Sequence, residues 1–213
     1  QVETEQLRNS LLSSVSHDLR TPLAAMAGAA TSLMNADSQI SDDARRELLQ
    51  SVVDESLRLS RLVDNLLDMT RLESGSIHIK LEWHVLEEIV GSALRHLREQ
   101  LSEHSVTTQL PVNLPLVHVD GVLFEQVFVN LLENAARYTP AGSRIEITAR
   151  EVASGVEIRV ADNGPGLPRG TESQLFEKFV RGDSASPDGR RGVGLGLAIC
   201  RGIVQAHGGS ITA

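Results

Sequence analysis

An imidazole, a carboxylate, a guanidinium, a hydroxyl and a proline fall within six consecutive residues, His17-Asp18-Leu19-Arg20-Thr21-Pro22. A neutral histidine ring carries a nucleophilic nitrogen near neutral pH. Thr21 lies four residues beyond His17, so on a helix the two share a face. Arg20 could neutralise phosphate charge. Pro22 cannot donate to the carbonyl of Asp18 and clashes with it, which helices seldom tolerate. His17 is the residue that would justify that strain.

A second constellation is Asn130-Leu131-Leu132-Glu133-Asn134. Asn130 and Asn134 are four apart and share one helical face. Their amide oxygens can coordinate a hard cation without adding negative charge, and Mg²⁺ takes few protein ligands beside substrate phosphates. Arg137 and Tyr138 follow on the next turn, where a cation and a hydroxyl could reach phosphate oxygens. Two caps or two solvent-facing amides would give the same residues.

Two glycine-rich segments come next. Asp162-Asn163-Gly164-Pro165-Gly166 follows a strand-like pattern. Asp162 could accept a hydrogen bond from an exocyclic amine such as that of adenine, and Gly164 and Gly166 let backbone approach a ring closely. The same residues also make a good tight turn, so the segment alone leaves both readings open. Gly192-Val193-Gly194-Leu195-Gly196 runs into a helical pattern and would aim backbone N–H groups and a positive dipole at phosphates. It lacks the βαβ context of a dinucleotide fingerprint. Between them lie Phe176-Glu177-Lys178-Phe179-Val180-Arg181 and a polar run to Arg191, too long for an ordinary connection and suited to a mobile lid. Lys178 and Arg181 are further phosphate-side cations.

These residues need elements to hold them. Leu12, Leu19, Met26 and Leu33 recur at seven-residue spacing, as do Val52, Leu59 and Leu66. Both patterns predict amphipathic helices with a coiled-coil-like seam. Residues 35–41 form a polar break, with Ser41 as N-cap and Asp42 and Asp43 in the next first turn. Such a hairpin leaves apolar surface exposed, and dimerisation into a four-helix bundle is the natural remedy. Beyond Ser74-Gly75-Ser76 the pattern becomes mixed. It predicts strands near 77–83, 117–119, 144–150, 156–161 and from Ser210, and helices near 86–101, 123–138 and 195–206. The expected organisation is a multidomain α and α+β chain: a hairpin over 1–74, then an α/β sandwich over 75–213 with its final strand missing.

Composition narrows the partners. The 213 residues are 41% hydrophobic but only 3% aromatic, and the net charge of −8 argues against nucleic acid. The single cysteine, Cys200, excludes an intrachain disulfide and reads as a buried core residue. No apolar run approaches the ~20 residues that span a bilayer. The chain starts at Gln1 and stops inside a strand-like pattern, as a piece of a longer protein would. The other histidines show no metal-ligand spacing.

Taken in order, the segments resemble the catalytic core of two-component sensor histidine kinases over nearly the whole chain. Residues 16–23 resemble the phosphoacceptor box. Residues 130–134, 162–166, 176–179 and 192–196 resemble the four boxes of the Bergerat-type ATP domain. Leu67-Asp68-Met69-Thr70-Arg71-Leu72-Glu73-Ser74-Gly75, Glu82-Trp83 and His118-Val119-Asp120-Gly121 are similar to the potassium-responsive KdpD-type subfamily. The resemblance implies ATP and Mg²⁺ as cofactors and a homodimer. It also implies a response-regulator receiver domain as partner, and a location on the cytoplasmic side of a bacterial inner-membrane sensor. It implies that His17 attacks the γ-phosphoryl group, that Asp18 orients the ring, and that Thr21 helps position water for the reverse reaction. Asn134, supported by Asn130, would hold Mg²⁺. Asp162 would read adenine, and Gly192, Gly194 and Gly196 would shape the phosphate cradle.

Hydrolytic ATPases of the same fold carry a glutamate four residues before the metal-binding asparagine. Asn130 stands there instead and cannot act as a base. A non-catalytic scaffold would have lost at least one box. Pro22 lies one turn past the nucleophile and reads as a bending point, so Pro22→Ala should change the ratio of kinase to phosphatase activity more than ATP affinity. Paired autophosphorylation and dephosphorylation assays check this, and an unchanged ratio removes the idea.

Overall fold

The computed structural model describes residues 2–35, 40–74, 78–167, 170–172, 174–177 and 194–213, the side chains of 2–15, 17, 18 and 73 excepted. The chain divides into two compact units, Gln1–Thr70 and Arg71–Ala213.

The first unit consists of helix α1 (Val2–Asn35) and most of helix α2 (Asp42–Glu73). The connection over 36–39 lies outside the described residues. α2 starts where the sequence provides a cap: the Ser41 Oγ accepts the Ala44 N–H at 3.2 Å, and Asp42 and Asp43 occupy the first turn. Both devices satisfy or complement the positive helix end. Ala29, Leu62 and the ring of Pro22 are buried. Pro22 therefore contributes packing as well as a missing hydrogen bond. Leu49, Val53, Leu57, Val63 and Leu67 stay exposed. At 100° per residue they cluster in a second apolar stripe on α2, beside the heptad stripe of Leu48, Leu59, Leu62 and Leu66.

The second unit is an α/β sandwich. Strand β1 (Glu82–His84) pairs antiparallel with β3 (Val117–Val119). A separate sheet has the order β2-β4-β5, from β2 (Ser105–Gln109), β4 (Arg144–Val152) and β5 (Gly155–Asp162). β2 runs parallel to β4 and β5 antiparallel. Helices α3 (Leu86–His96), α4 (Gly121–Tyr138) and α5 (Gly196–Ala206) complete the unit. One face of β4 (Ile145, Ile147, Ala149) joins Ile89, Val90 and Ala93 of α3 and Phe128, Leu132 and Ala135 of α4 in one core. This alternation along β4 is the period-two signature of a half-buried strand.

Beyond shifts of one or two residues at element ends, the described structure differs from the sequence reading at four places. α3 ends at His96 rather than near residue 101, yet Leu97 and Leu101 are buried. The apolar period thus continues through turns beyond the helix. β1 begins only at Glu82, because its partner β3 offers three residues. β2 was not expected, since Ser105-Val106-Thr107-Thr108-Gln109 has one apolar residue and gains its order from the ladder with β4. Residues 210–213 pair with no strand among the described residues.

Asp120 fixes the start of α4. Its Oδ1 accepts the N–H groups of Val122 and Leu123 at 3.1 and 3.2 Å, and its Oδ2 accepts that of Lys80 at 2.9 Å. Its own N–H donates to His207 Nε2 at 3.0 Å, while the His207 Nδ1 lies 2.8 Å from the Ile203 carbonyl. The ring therefore carries its proton on Nδ1 and ties the end of α5 to the start of α4. Burial pushes the Asp120 carboxyl up, but the three backbone N–H groups outweigh it and hold it below its ordinary value. A depressed carboxyl stabilises the fold above its unfolded value and loses that contribution as pH falls through its folded value. Asp120→Ala should cost about 1–2 kcal/mol near neutral pH. The deficit should shrink as pH falls below the ordinary carboxylate range, as urea denaturation at several pH values checks.

Candidate active site

α4 carries the asparagines because its opposite face is pinned in the core. Val127, Phe128, Leu132 and Ala135 are buried, and Asn130 sits among them with only 9% of its surface exposed. The Asn130 Nδ2 makes no well-formed hydrogen bond among the described residues and has only the Cys200 thiol, a weak acceptor, to donate to. A buried amide N–H with so weak an acceptor is costly. A Cβ built on Gly196 would lie 3.7 Å from Asn130 Oδ1. The amide oxygen therefore faces the first residue of α5. Asn134 lies one turn on and is half-buried, as is Arg137, while Tyr138 is exposed.

The approach to α5 is set by Gly194, whose φ of +73° a side chain would strain. α5 then buries Ala198, Ile199, Cys200 and Ile203 and packs against α4. The Cys200 thiol donates to the Val127 carbonyl at 3.7 Å, and burial pushes it up to about 12. It is a structural thiol rather than a nucleophile or metal ligand.

The third wall is the turn after β5. Asp162 is exposed, and its Oδ1 accepts the Gly164 N–H at 2.9 Å. A Cβ on Gly164 would meet the Thr139 Cγ2 at 2.6 Å and the Asp162 Oδ1 at 2.9 Å. Only glycine fits there, and its contact brings the turn against the C-terminal end of α4. Thr139, which the sequence reading passed over, is thus part of the site's framework. Gly166 follows with φ of +75°.

Gly196 thus lies against Asn130 at the middle of α4 and Gly164 of the Asp162 turn against Thr139 at its C-terminal end, with Asn134, Arg137 and Tyr138 along the helix between. Lys178, Arg181 and Gly192 lie outside the described residues, as does most of the expected lid. Phe176, at the start of that segment, is buried. No group of three or more His, Cys, Asp or Glu side chains that could hold a metal occurs among the described residues. A hard cation here would rest on the neutral amide oxygens of α4 and on phosphate oxygens, which is chemistry that suits Mg²⁺. In the first unit, His17, Asp18 and Thr21 lie on α1, with Thr21 exposed. The helix sets His17 and Thr21 one turn apart.

Two family models match the chain. The His Kinase A (phospho-acceptor) domain covers residues 7–75, and the Histidine kinase-, DNA gyrase B-, and HSP90-like ATPase covers residues 119–213. The chain is 51% identical over 216 residues to sensor protein KdpD of Escherichia coli (strain K12), a match covering 99% of this chain and 23% of that protein. It spans about a quarter of the length of the curated KdpD relatives. The structure of full-length ShkA in complex with AMPPNP superposes with a TM-score of 0.68 at 26% identity, over 96% of this chain and 42% of that one. Histidine kinase ThkA in complex with the response regulator TrrA shares the fold, with a TM-score of 0.71 at 21% identity over 99% of this chain and 58% of that one.

The glycine contacts separate two otherwise similar substitutions. Gly164→Ala should destabilise the second unit by about 1–3 kcal/mol, because Thr139 must shift. Gly196→Ala meets only ordinary contacts in a helical first turn and should be neutral or stabilising by up to about 1 kcal/mol. Chemical denaturation of both variants checks the order.

Proposed function

The chain belongs to the sensor histidine kinases, with a phosphoacceptor unit and an ATP-binding unit of KdpD type, and from that premise we propose which residues carry the reaction. The observation that bears the most weight is the buried side chain of Asn130, whose amide oxygen faces Gly196 at the start of α5, with the Asp162 carboxylate on a turn that Gly164 and Thr139 hold against the end of α4. Together they give a cradle with a base-reading end and a phosphate end.

In this reading Asp162 accepts the exocyclic amine of adenine, and Gly164 and Gly166 allow the ring to approach. Asn134 and Asn130 hold Mg²⁺ through their amide oxygens. When bound, the ion neutralises phosphate charge and orients the γ-phosphoryl group. The backbone N–H groups at Gly194 and Gly196, with Gly192, line the phosphates at the start of α5. Arg137, Tyr138, Lys178 and Arg181 are further phosphate partners.

His17 is the acceptor. Its ring nitrogen forms the N–P bond as the bond between the γ-phosphorus and the bridging oxygen breaks, and ADP leaves. Asp18 holds the proton on the other ring nitrogen, which keeps the attacking one free. The phosphoryl group then passes to a carboxylate of a response-regulator receiver domain, the partner class that ThkA binds. Thr21, one turn from His17, orients water for removing phosphate from that partner. The exposed stripe of Leu49, Val53, Leu57, Val63 and Leu67 supports a homodimer through the hairpin. The KdpD likeness supports a potassium-responsive sensor, with this region on the cytoplasmic side of a membrane-anchored protein. No helix among the described residues is itself long and apolar enough to cross a membrane.

Incubation with γ-labelled ATP and Mg²⁺ tests the assignment. The protein should acquire an acid-labile, base-stable label that His17→Gln lacks, while His17→Gln still binds nucleotide. Steady phosphate release without protein labelling would instead identify an ATPase.

A further inference from the structure

Asp162 stands at the last paired position of β5, opposite Ile145, and the residues after it have no strand or helix of their own. Their geometry is nevertheless held from two sides. Asn163 Oδ1 accepts the Arg144 N–H at 2.7 Å, and the Asn163 N–H donates to the Arg144 carbonyl at 3.2 Å. This side chain extends the ladder one step past the strand and fixes the backbone just after Asp162.

The second support comes from α4. Thr139 is 3% exposed and ends the helix in extended geometry. Its N–H and its hydroxyl both donate to the Ala135 carbonyl, at 3.2 and 2.7 Å. With that proton committed, the Thr139 Oγ1 can only accept from His104 Nε2, 3.0 Å away. Nε2 is therefore the protonated ring nitrogen. The other, Nδ1, is buried without a partner among the described residues. His104 is in turn placed by the backbone immediately before β2: its N–H donates to Leu101 O, and the next N–H, from Ser105, donates to Ser143 O. These bonds select one rotamer of Thr139. In that rotamer the methyl group faces Gly164, close enough that a Cβ there would overlap it.

We propose that His104 and Thr139 are a positioning pair for base recognition. The Thr139 methyl sets the position of Gly164. Gly164 donates its N–H to Asp162 Oδ1, and this bond aims the remaining oxygen at the exocyclic amine of a purine. His104 touches no nucleotide and acts only through Thr139. This inference deepens the reading of Asp162 as the base-reading residue and rests on it. A rotated Asp162 carboxylate loses a directional charge-assisted hydrogen bond while leaving the phosphate contacts of α4 and α5 in place. The pair should therefore govern the preference for a 6-amino over a 6-oxo purine rather than nucleotide affinity in general.

Calorimetric titration of the whole chain with ATP and with ITP, which lacks the exocyclic amine, tests this. The wild type should prefer ATP by roughly ten- to hundredfold. Asp162→Ala should abolish that preference. His104→Leu and Thr139→Val, which keep bulk but remove the hydroxyl network, should narrow the ratio several-fold with ITP affinity unchanged. His104→Gln, which can still donate, should retain most of it. A purely structural role would weaken ATP and ITP alike and leave the ratio intact, which would overturn the proposal. If Asp162→Ala itself keeps the preference, the base-reading assignment fails, and the pair's role fails with it. Should His104→Leu not fold, Thr139→Ser carries the same comparison, because it removes the methyl and keeps the hydroxyl.

Discussion

Burial of one face of α4 is the constraint on which the nucleotide-binding unit depends. Phe128, Leu132 and Ala135 lock that face against α3 and β4, and Val127 and Asn130 turn the next face toward α5. A helix fixed in this way cannot rotate to find a better partner for a polar side chain. Asn130 is therefore held buried with its amide N–H on no better acceptor than the Cys200 thiol, a state that a freely packing helix would avoid. Both ends of α4 are tied as well. Asp120 and His207 fasten its start to the end of α5, and Thr139 fastens its end to the turn after β5. The functional walls are thus all referenced to one rigid element, the arrangement that best preserves a binding geometry.

This framework explains how an acidic chain can take an anionic nucleotide. A net charge of −8 gives no general attraction for phosphate. In the proposed assignment, neutral amide oxygens for a cation, backbone N–H groups at the start of α5 and Arg137 on α4 would supply the attraction locally, and the Asp162 carboxylate would meet a donor rather than an anion. Phosphoryl transfer asks little covalent chemistry of the protein and much positioning. Division of labour between an ATP-holding unit and a helix carrying His17 is consistent with that demand.

Much of this was legible in the sequence because the signals were local. Heptad spacing revealed α1 and α2, and Asp42, Asp43 and Ser41 marked where α2 starts. The glycine and asparagine boxes were each open to a plain reading as turns or caps, and stood out only through their order along the chain. What escaped notice depends on partners distant in sequence. β2 has one apolar residue and exists through its ladder with β4, which begins 39 residues later. The apolar period of α3 ran past its last helical residue, since Leu97 and Leu101 enter the core from turns. Thr139 and His104 are 35 residues apart, and nothing in either neighbourhood announces their hydrogen bond. Thr139 could have been suspected as a hydroxyl ending a helix directly before Pro140, a position where side chains return bonds to the last turn.

Amide hydrogen exchange with and without a non-hydrolysable ATP analogue and Mg²⁺ tests the cradle most directly. The account predicts that added slowing in the second unit concentrates at the last two turns of α4, at residues 162–166 and at the start of α5, while β2 and the outer half of β4 are unchanged. Nucleotide-dependent protection that avoids those three segments, or falls mainly on the β1 and β3 pair, would contradict it.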